Sequence, residues 1–207
     1  MPKRKHSNLT QHPILLASSS KYRATLLKHL GIEFKQASPN INEARIANES
    51  PHQMVKRLSE QKAWALTSEF PNHIIIASDQ IAVTQSGEIL GKPLTTINAI
   101  RQLSVVNGEK VSFLTGLCVL SPLDDPSKWY QQSAIEPFHV YFRKLSQQQI
   151  SNYVQREQPL DCAGSFKSEG LGVSLFEKFE GQDPNSLIGL PLIKLCTFLE
   201  LAGSPVL

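Results

Sequence analysis

The chain has 207 residues, enough for one domain that buries its own core. Apolar residues make up 41% and charged residues 19%, a balance that excludes a disordered tail. Lys and Arg number 21 against 18 Asp and Glu, a net charge of +3, and that mild excess argues against a dedicated nucleic-acid binder.

The basic run Lys3-Arg4-Lys5 reads as a solvated, disordered extension over residues 1–12, followed by a single domain over 13–207. No apolar core of a signal peptide follows it, since the apolar run at 14–17 is too short, so a cytoplasmic protein without a membrane partner is expected. Cys118, Cys162 and Cys196 lie far apart with no CxxC pair, and each reads as a small buried hydrophobe. The histidines are scattered with no HxxxH pair, so a histidine-held transition metal is not expected.

In chain order, Ile14-Leu15-Leu16-Ala17 reads as a short buried strand, then Ser18-Ser19-Ser20 leads into a helix over 21–30. Ser20 is its expected N-cap and Gly31 its stop. Ser50-Pro51 opens a second helix that runs toward Pro71, with Met54, Val55, Leu58, Ala65 and Leu66 as its apolar stripe. The continuous apolar run at 74–77 predicts a central strand covered on both faces, with Asp79 at its end. Residues 85–88 predict a hairpin turn and 96–106 a third helix. Strands follow over 111–120 and 134–142, joined by a surface loop at 121–133. Ser146-Gln147-Gln148-Gln149 is a capping box for a helix to about Arg156. The glycine-rich stretch 164–181 predicts two short strands, and 186–201 a closing helix despite Gly189 and Pro191. The order implies an α/β or α+β fold with a mixed sheet.

Three places break this pattern. Lys62 falls between Leu58 and Leu66 on the apolar stripe, so it either snorkels to water or pairs with a fixed anion. Asp79 ends an apolar strand, where a carboxylate is costly unless paired, protonated or metal-bound; a structural cap and a catalytic role both fit. The strand–serine–helix unit at 14–30 presents Ser18, Ser20 and Arg23 where a helix N-terminus binds anions, although an ordinary N-cap explains it too. It lacks the P-loop pattern, no GxSxG occurs, and Gly170-Leu171-Gly172 opens no dinucleotide fingerprint.

Taken together, several segments resemble the Maf family of nucleotide pyrophosphatases. Leu16-Ala17-Ser18-Ser19-Ser20-Lys21-Tyr22-Arg23 is similar to the family's LASxSPRR segment. Ile41-Asn42-Glu43, Glu60-Gln61-Lys62-Ala63, Ser78-Asp79-Gln80, Gly91-Lys92-Pro93, Cys162-Ala163-Gly164-Ser165-Phe166 and Ile188-Gly189-Leu190-Pro191-Leu192 match further segments in the family's order. Within it, Tyr22, Asp79-Gln80, residues 165–170, Glu136-Pro137-Phe138 and residues 180–185 look like the branch that acts on 7-methylguanosine triphosphate. Lys21 departs from the usual proline, which would pre-set the first helical turn.

The resemblance implies an elongated mixed sheet flanked by helices, of the inosine-triphosphate-pyrophosphatase kind, with two lobes around the cleft as an option. It implies hydrolysis between the α- and β-phosphates with a divalent cation, magnesium or manganese. Asp79 would be the general base or orient a metal-held water, and Glu43 with Asp79 would hold the metal. Arg23, Lys62 and Lys92 would clamp the phosphates with Ser18 and Ser20, the substrate being the fixed anion that Lys62 needs. Tyr22, Gln80 and Glu169 would set specificity: an aromatic face attracts the charge of an N7-methylated guanine by about 0.5–2 kcal/mol, and a carboxylate accepts from its N1–H and amino group. A preference for dTTP, UTP or other modified nucleotides, or a non-enzymatic role in septum formation, are the alternatives. The oligomeric state is open, a homodimer among the options.

Overall fold

The computed structural model describes residues 12–125 and 127–207. The extension expected over 1–12 lies, His12 apart, outside them. Strand β1 (Ile14–Ala17) runs parallel to β2 (Phe34–Ala37) on one side and to β3 (Ile74–Thr84) on the other. Between β1 and β2 lies α1 (Lys21–His29), capped by the Ser20 hydroxyl, which accepts from the Arg23 amide. Between β2 and β3 lies α2 (Pro51–Trp64), opened by a capping box of Ser50 and Gln53. The two-residue β4 (Ile89–Leu90) folds back on β3. Helix α3 (Thr96–Val105) follows, then a long antiparallel pair, β5 (Lys110–Pro122) and β6 (Trp129–Phe142). Helix α4 (Gln147–Glu157), strand β7 (Phe176–Gly181) and helices α5 (Asn185–Ile188) and α6 (Leu192–Leu201) complete the chain. The mixed sheet has the order β2-β1-β3-β5-β6-β7, with β4 paired to β3 alone.

Several sequence expectations need correction. The strand expected to stop near Ala77 continues to Thr84, so Asp79 lies within it. What ends there is the neighbour: β1 pairs with β3 only as far as Ile76, and beyond that point β3 keeps β5 on one edge and opens on the other until β4 joins at Ala82. The loop expected over 121–133 is shorter, because Trp129 to Ser133 pair with Pro122 to Cys118, and backbone ladders accept polar residues where hydrogen bonds are met. The stretch 164–181 holds two short 3-10 turns and one strand, not two strands. The closing helix is two helices, since Gly189 adopts φ 117, a conformation that breaks the helix and favours glycine. Helix α2 stops at Trp64, short of the expected end near Pro71, so Ala65 lies just past it and is exposed, while Ala63, not in the expected stripe, is buried.

The core divides by the parity of β3. Its even residues Ile74, Ile76 and Ala82 face two clusters, one under α1 and α6 and one under α3 and α4. Its odd residues Ile75, Ala77 and Ile81 face α2. Between these apolar stretches Ser78, Asp79 and Gln80 form a polar belt on both faces. Asp79 is paired across the ladder with Gly116, and a Cβ there would lie 2.5 Å from the Val55 carbonyl oxygen and 2.9 Å from Ser59 Oγ. The absent side chain lets α2 lie close enough to bring Lys62 onto Asp79. Gly116→Ala is therefore expected to destabilise the protein by about 1–3 kcal/mol and to lower its activity, read as a drop of several degrees in Tm by calorimetry together with a turnover assay.

Candidate active site

The open edge of β3 forms the floor of a cleft of about 530 Å³. Ser18, Ser20, Lys21 and Arg23 line it from the β1–α1 junction, Glu43 from the segment after β2, Lys62 from α2, Asp79 from β3 and Lys92 from the loop after β4. At its centre the Lys62 ammonium donates to Asp79 Oδ1 at 2.6 Å and pairs with Glu43 Oε1 at 2.9 Å. The Lys62 and Asp79 side chains are each 9% exposed, whereas Glu43 is 58% exposed and closes the group from the solvent side. Lys62 therefore does not snorkel. Its fixed anions are two carboxylates of the chain itself, which corrects the expectation that the substrate alone fills that role. One ammonium against two carboxylates leaves a negative surplus, and the third N–H of the ammonium remains for the cleft.

Arg23 is held from two sides. Its Nε donates to the Gly189 carbonyl at 2.9 Å and its Nη1 to Ser18 Oγ at 3.2 Å. Burial lowers its pKa, while Asp79 and Glu43 pull the other way. Ser18 Oγ also accepts from the Ser20 amide, so its own O–H stays available to an anion. Ser20 is a true N-cap, and Arg23 is thus fixed by the helix that carries it.

The turn at 183–190 reaches into the same region. Gly189 O accepts from Ser78 Oγ at 2.8 Å, and Ser186 O accepts from Thr115 Oγ1 at 2.8 Å. The Gln80 amide nitrogen donates to Ser186 O at 2.6 Å, with Leu187 O at 3.2 Å and Thr115 Oγ1 at 3.1 Å beside it. Because carbonyls only accept, this fixes which end of the amide meets the turn. Asp183, 1% exposed, secures the turn by accepting from the amides of Asn185 and Ile193.

The cleft opens into a smaller pocket of about 150 Å³. Tyr22, Arg23, Gln80 and Lys92 border both spaces, while Glu169, Phe113, Phe166 and Leu187 line only the smaller one. The candidate catalytic, metal, phosphate and specificity residues named from the sequence all line one or other of these two connected spaces, whereas Glu136-Pro137-Phe138 and residues 180–185 line neither. Asp161, which the sequence reading passed over, lines both, and the Tyr22 hydroxyl lies 3.5 Å from its Oδ2. Its only signal was a carboxylate directly before Cys162-Ala163-Gly164. Burial, Cys162 and Asp161 raise the Tyr22 phenol, which stays neutral. Cys162 is half-buried and lines the smaller pocket, unlike the core role expected for it.

Fold and cleft together define a small α/β protein with a cleft at the fork of a mixed sheet, lined by Lys21, Arg23, Lys62 and Lys92 together with Glu43, Asp79 and Asp161. The chain belongs to the Maf family: the family model described as Maf-like protein matches residues 13–202. It is 52% identical over 95% of its length to the 7-methyl-GTP pyrophosphatase of Pseudoalteromonas translucida (strain TAC 125), covering 95% of that protein. It is 50% identical to proteins of the same description from Nitrosococcus oceani, over 94% of this chain and 95% of that protein, and Colwellia psychrerythraea, over 94% of each. The solved structure of the Staphylococcus aureus Ham1 protein overlays with a TM-score of 0.41 and 15% identity, covering 63% of this chain and 71% of that one. No helix among the described residues is long and apolar enough to cross a membrane.

Burial and Asp161 push the Cys162 thiol up to about 12, so it is protonated at neutral pH and gains thiolate only as pH climbs toward that value. Iodoacetamide at pH 8 is expected to alkylate Cys162 at least about tenfold more slowly than free cysteine, whose pKa is about 8.5. The rate should still be rising at about pH 10, as followed by peptide mass spectrometry.

Proposed function

We propose that this protein is a nucleoside triphosphate pyrophosphatase of the cytoplasm that hydrolyses 7-methyl-GTP to 7-methyl-GMP and diphosphate. The observation that carries the reading is the group of Lys62, Asp79 and Glu43, set in a cleft that continues into a pocket bordered by Tyr22 and Glu169. The descriptions of the relatives at 50–52% identity support the same reaction and substrate.

In this reading the triphosphate lies along the cleft. Arg23, the Ser18 hydroxyl, Lys62 and Lys92 meet its oxygens and offset the charge that spreads over them during transfer. Asp79 Oδ1 is held by Lys62, which aims the carboxylate at the cleft. Asp79 takes a proton from a water whose oxygen attacks the phosphorus, and the bond to the diphosphate oxygen breaks as the new bond forms. Glu43 and Asp79 fit a divalent cation, because magnesium and manganese prefer oxygen donors and magnesium needs only one or two carboxylates beside phosphate oxygens and water. Such an ion, were it bound there, would offset the negative surplus of the two carboxylates and supply neutralisation of phosphate charge. In the smaller pocket, the Tyr22 ring offers its face to the cationic methylated purine. Glu169 accepts from the guanine N1–H and amino group, and the Gln80 oxygen fixes one polar edge.

Pyrophosphate release from a panel of 7-methyl-GTP, GTP, dTTP and UTP tests the reading, with 7-methyl-GTP expected to be cleaved fastest. Rates on dTTP and UTP that equal or exceed it would overturn the substrate assignment. Asp79→Asn should retain the fold at a lower Tm, because Lys62 loses one of its two anions, and lose at least about 100-fold in turnover, since the amide cannot take the proton. Chelation of divalent ions should abolish activity, and added Mg2+ or Mn2+ should restore it; full activity in chelator would remove the metal role of Glu43 and Asp79.

A further inference from the structure

The two spaces of the site are built by chain segments far apart in sequence that meet on one side chain. Gln102, on α3, lines neither the cleft nor the smaller pocket. Its Nε2 donates to the Gly91 carbonyl at 3.2 Å, and its Oε1 accepts from the Ser165 hydroxyl in a short hydrogen bond. The orientation of this amide is fixed by chemistry, because the Gly91 carbonyl can only accept. Gly91 precedes Lys92, which borders both spaces. Ser165 is fully buried at φ 62 and lies between Gly164 and Phe166, in the tight turn that walls the smaller pocket. Two further bonds brace the same junction: Asn98 Nδ2 to Pro93 O at 3.0 Å, and the Leu94 amide to Leu160 O at 3.1 Å. Among the described residues, only Gln102 joins the lysine loop directly to the turn at 163–166 through both ends of a single group.

We propose that Gln102 is a positioning residue that holds the Lys92 loop in register with the wall of the base pocket. A nucleotide whose base seats against Phe166 then meets Lys92 at its phosphates without the ordering cost that binding would otherwise carry. The inference rests on the pyrophosphatase reading. A nucleotide whose base does not use this wall draws no benefit from the link, so Gln102 contributes to discrimination rather than to chemistry on every triphosphate.

Gln102→Met tests this, because methionine keeps the length and helix propensity of the side chain and removes both hydrogen bonds. Relative to wild type, kcat/KM for 7-methyl-GTP should fall about tenfold, mainly through KM, while dTTP loses less than about threefold. Tm should stay within a few degrees. Gln102→Glu keeps an oxygen for Ser165 but offers Gly91 no N–H, and should fall between the two. Ser165→Ala breaks the same link from the other end, so the double variant should be no worse than Gln102→Met alone; should Gln102→Met fold poorly, Ser165→Ala by itself should show the same selective loss on 7-methyl-GTP. Equal losses on both nucleotides, additive losses in the double variant or an unchanged profile would each overturn the role of Gln102. Wild-type protein that releases no pyrophosphate from any nucleotide would overturn the functional reading instead.

Discussion

The Lys62 ammonium, 2.6 Å from Asp79 and 2.9 Å from Glu43, is the contact around which the rest of the molecule is arranged. A lysine on a buried helix face is costly unless an anion meets it, and a carboxylate within an apolar strand is costly for the same reason. Each solves the other's problem, but only if α2 lies very close to the sheet at that point. Gly116 provides the closeness by leaving the position across from Asp79 without a side chain. The capping box at Ser50 and Gln53 fixes where α2 begins, and with it the turn on which Lys62 falls. Glu43 then reaches the ammonium from solvent and makes the group net negative, a state that a bound cation or a nearby arginine offsets.

Strand β3 divides its contacts by parity. Asp79 faces α2 and lines the cleft, whereas Ser78 and Gln80 face the turn at 183–190. One strand thus serves both faces of the sheet at the place where its parallel neighbour stops. The early end of β1 is as much a part of the site as any side chain, since a longer β1 would seal the edge that forms the cleft floor. This is the general behaviour of open sheets, in which ligands gather where the strand order changes.

Local chemistry was the legible part of the sequence. The caps at Ser20, Ser50 and Ser146 stand where the hydroxyl-bearing residues placed them, because each cap depends on residues no more than three positions away. The turn before β4 and the buried run of β1 were legible for the same reason. The extent of β5 and β6 was not, because polar residues such as Gln131 and Ser133 carry no strand pattern and take their ladder from partners on β5. The break at Gly189 was visible only as a glycine, since its φ and its carbonyl bonds to Arg23 and Ser78 depend on elements more than a hundred residues earlier.

The sequence by itself determined that Lys62 and Asp79 were anomalous, because helical and strand periodicity depend on spacing alone, and its ordered segments marked the candidate site residues by resemblance. The tertiary structure decided how those residues answer one another. It paired Lys62 with Asp79 and Glu43, committed the nitrogen of Gln80 to the turn at 183–190, brought Asp161 against Tyr22 and joined Gly91 to Ser165 through Gln102. These contacts join positions separated by as many as 139 residues, and no local propensity encodes which side chain will stand across a cleft from which.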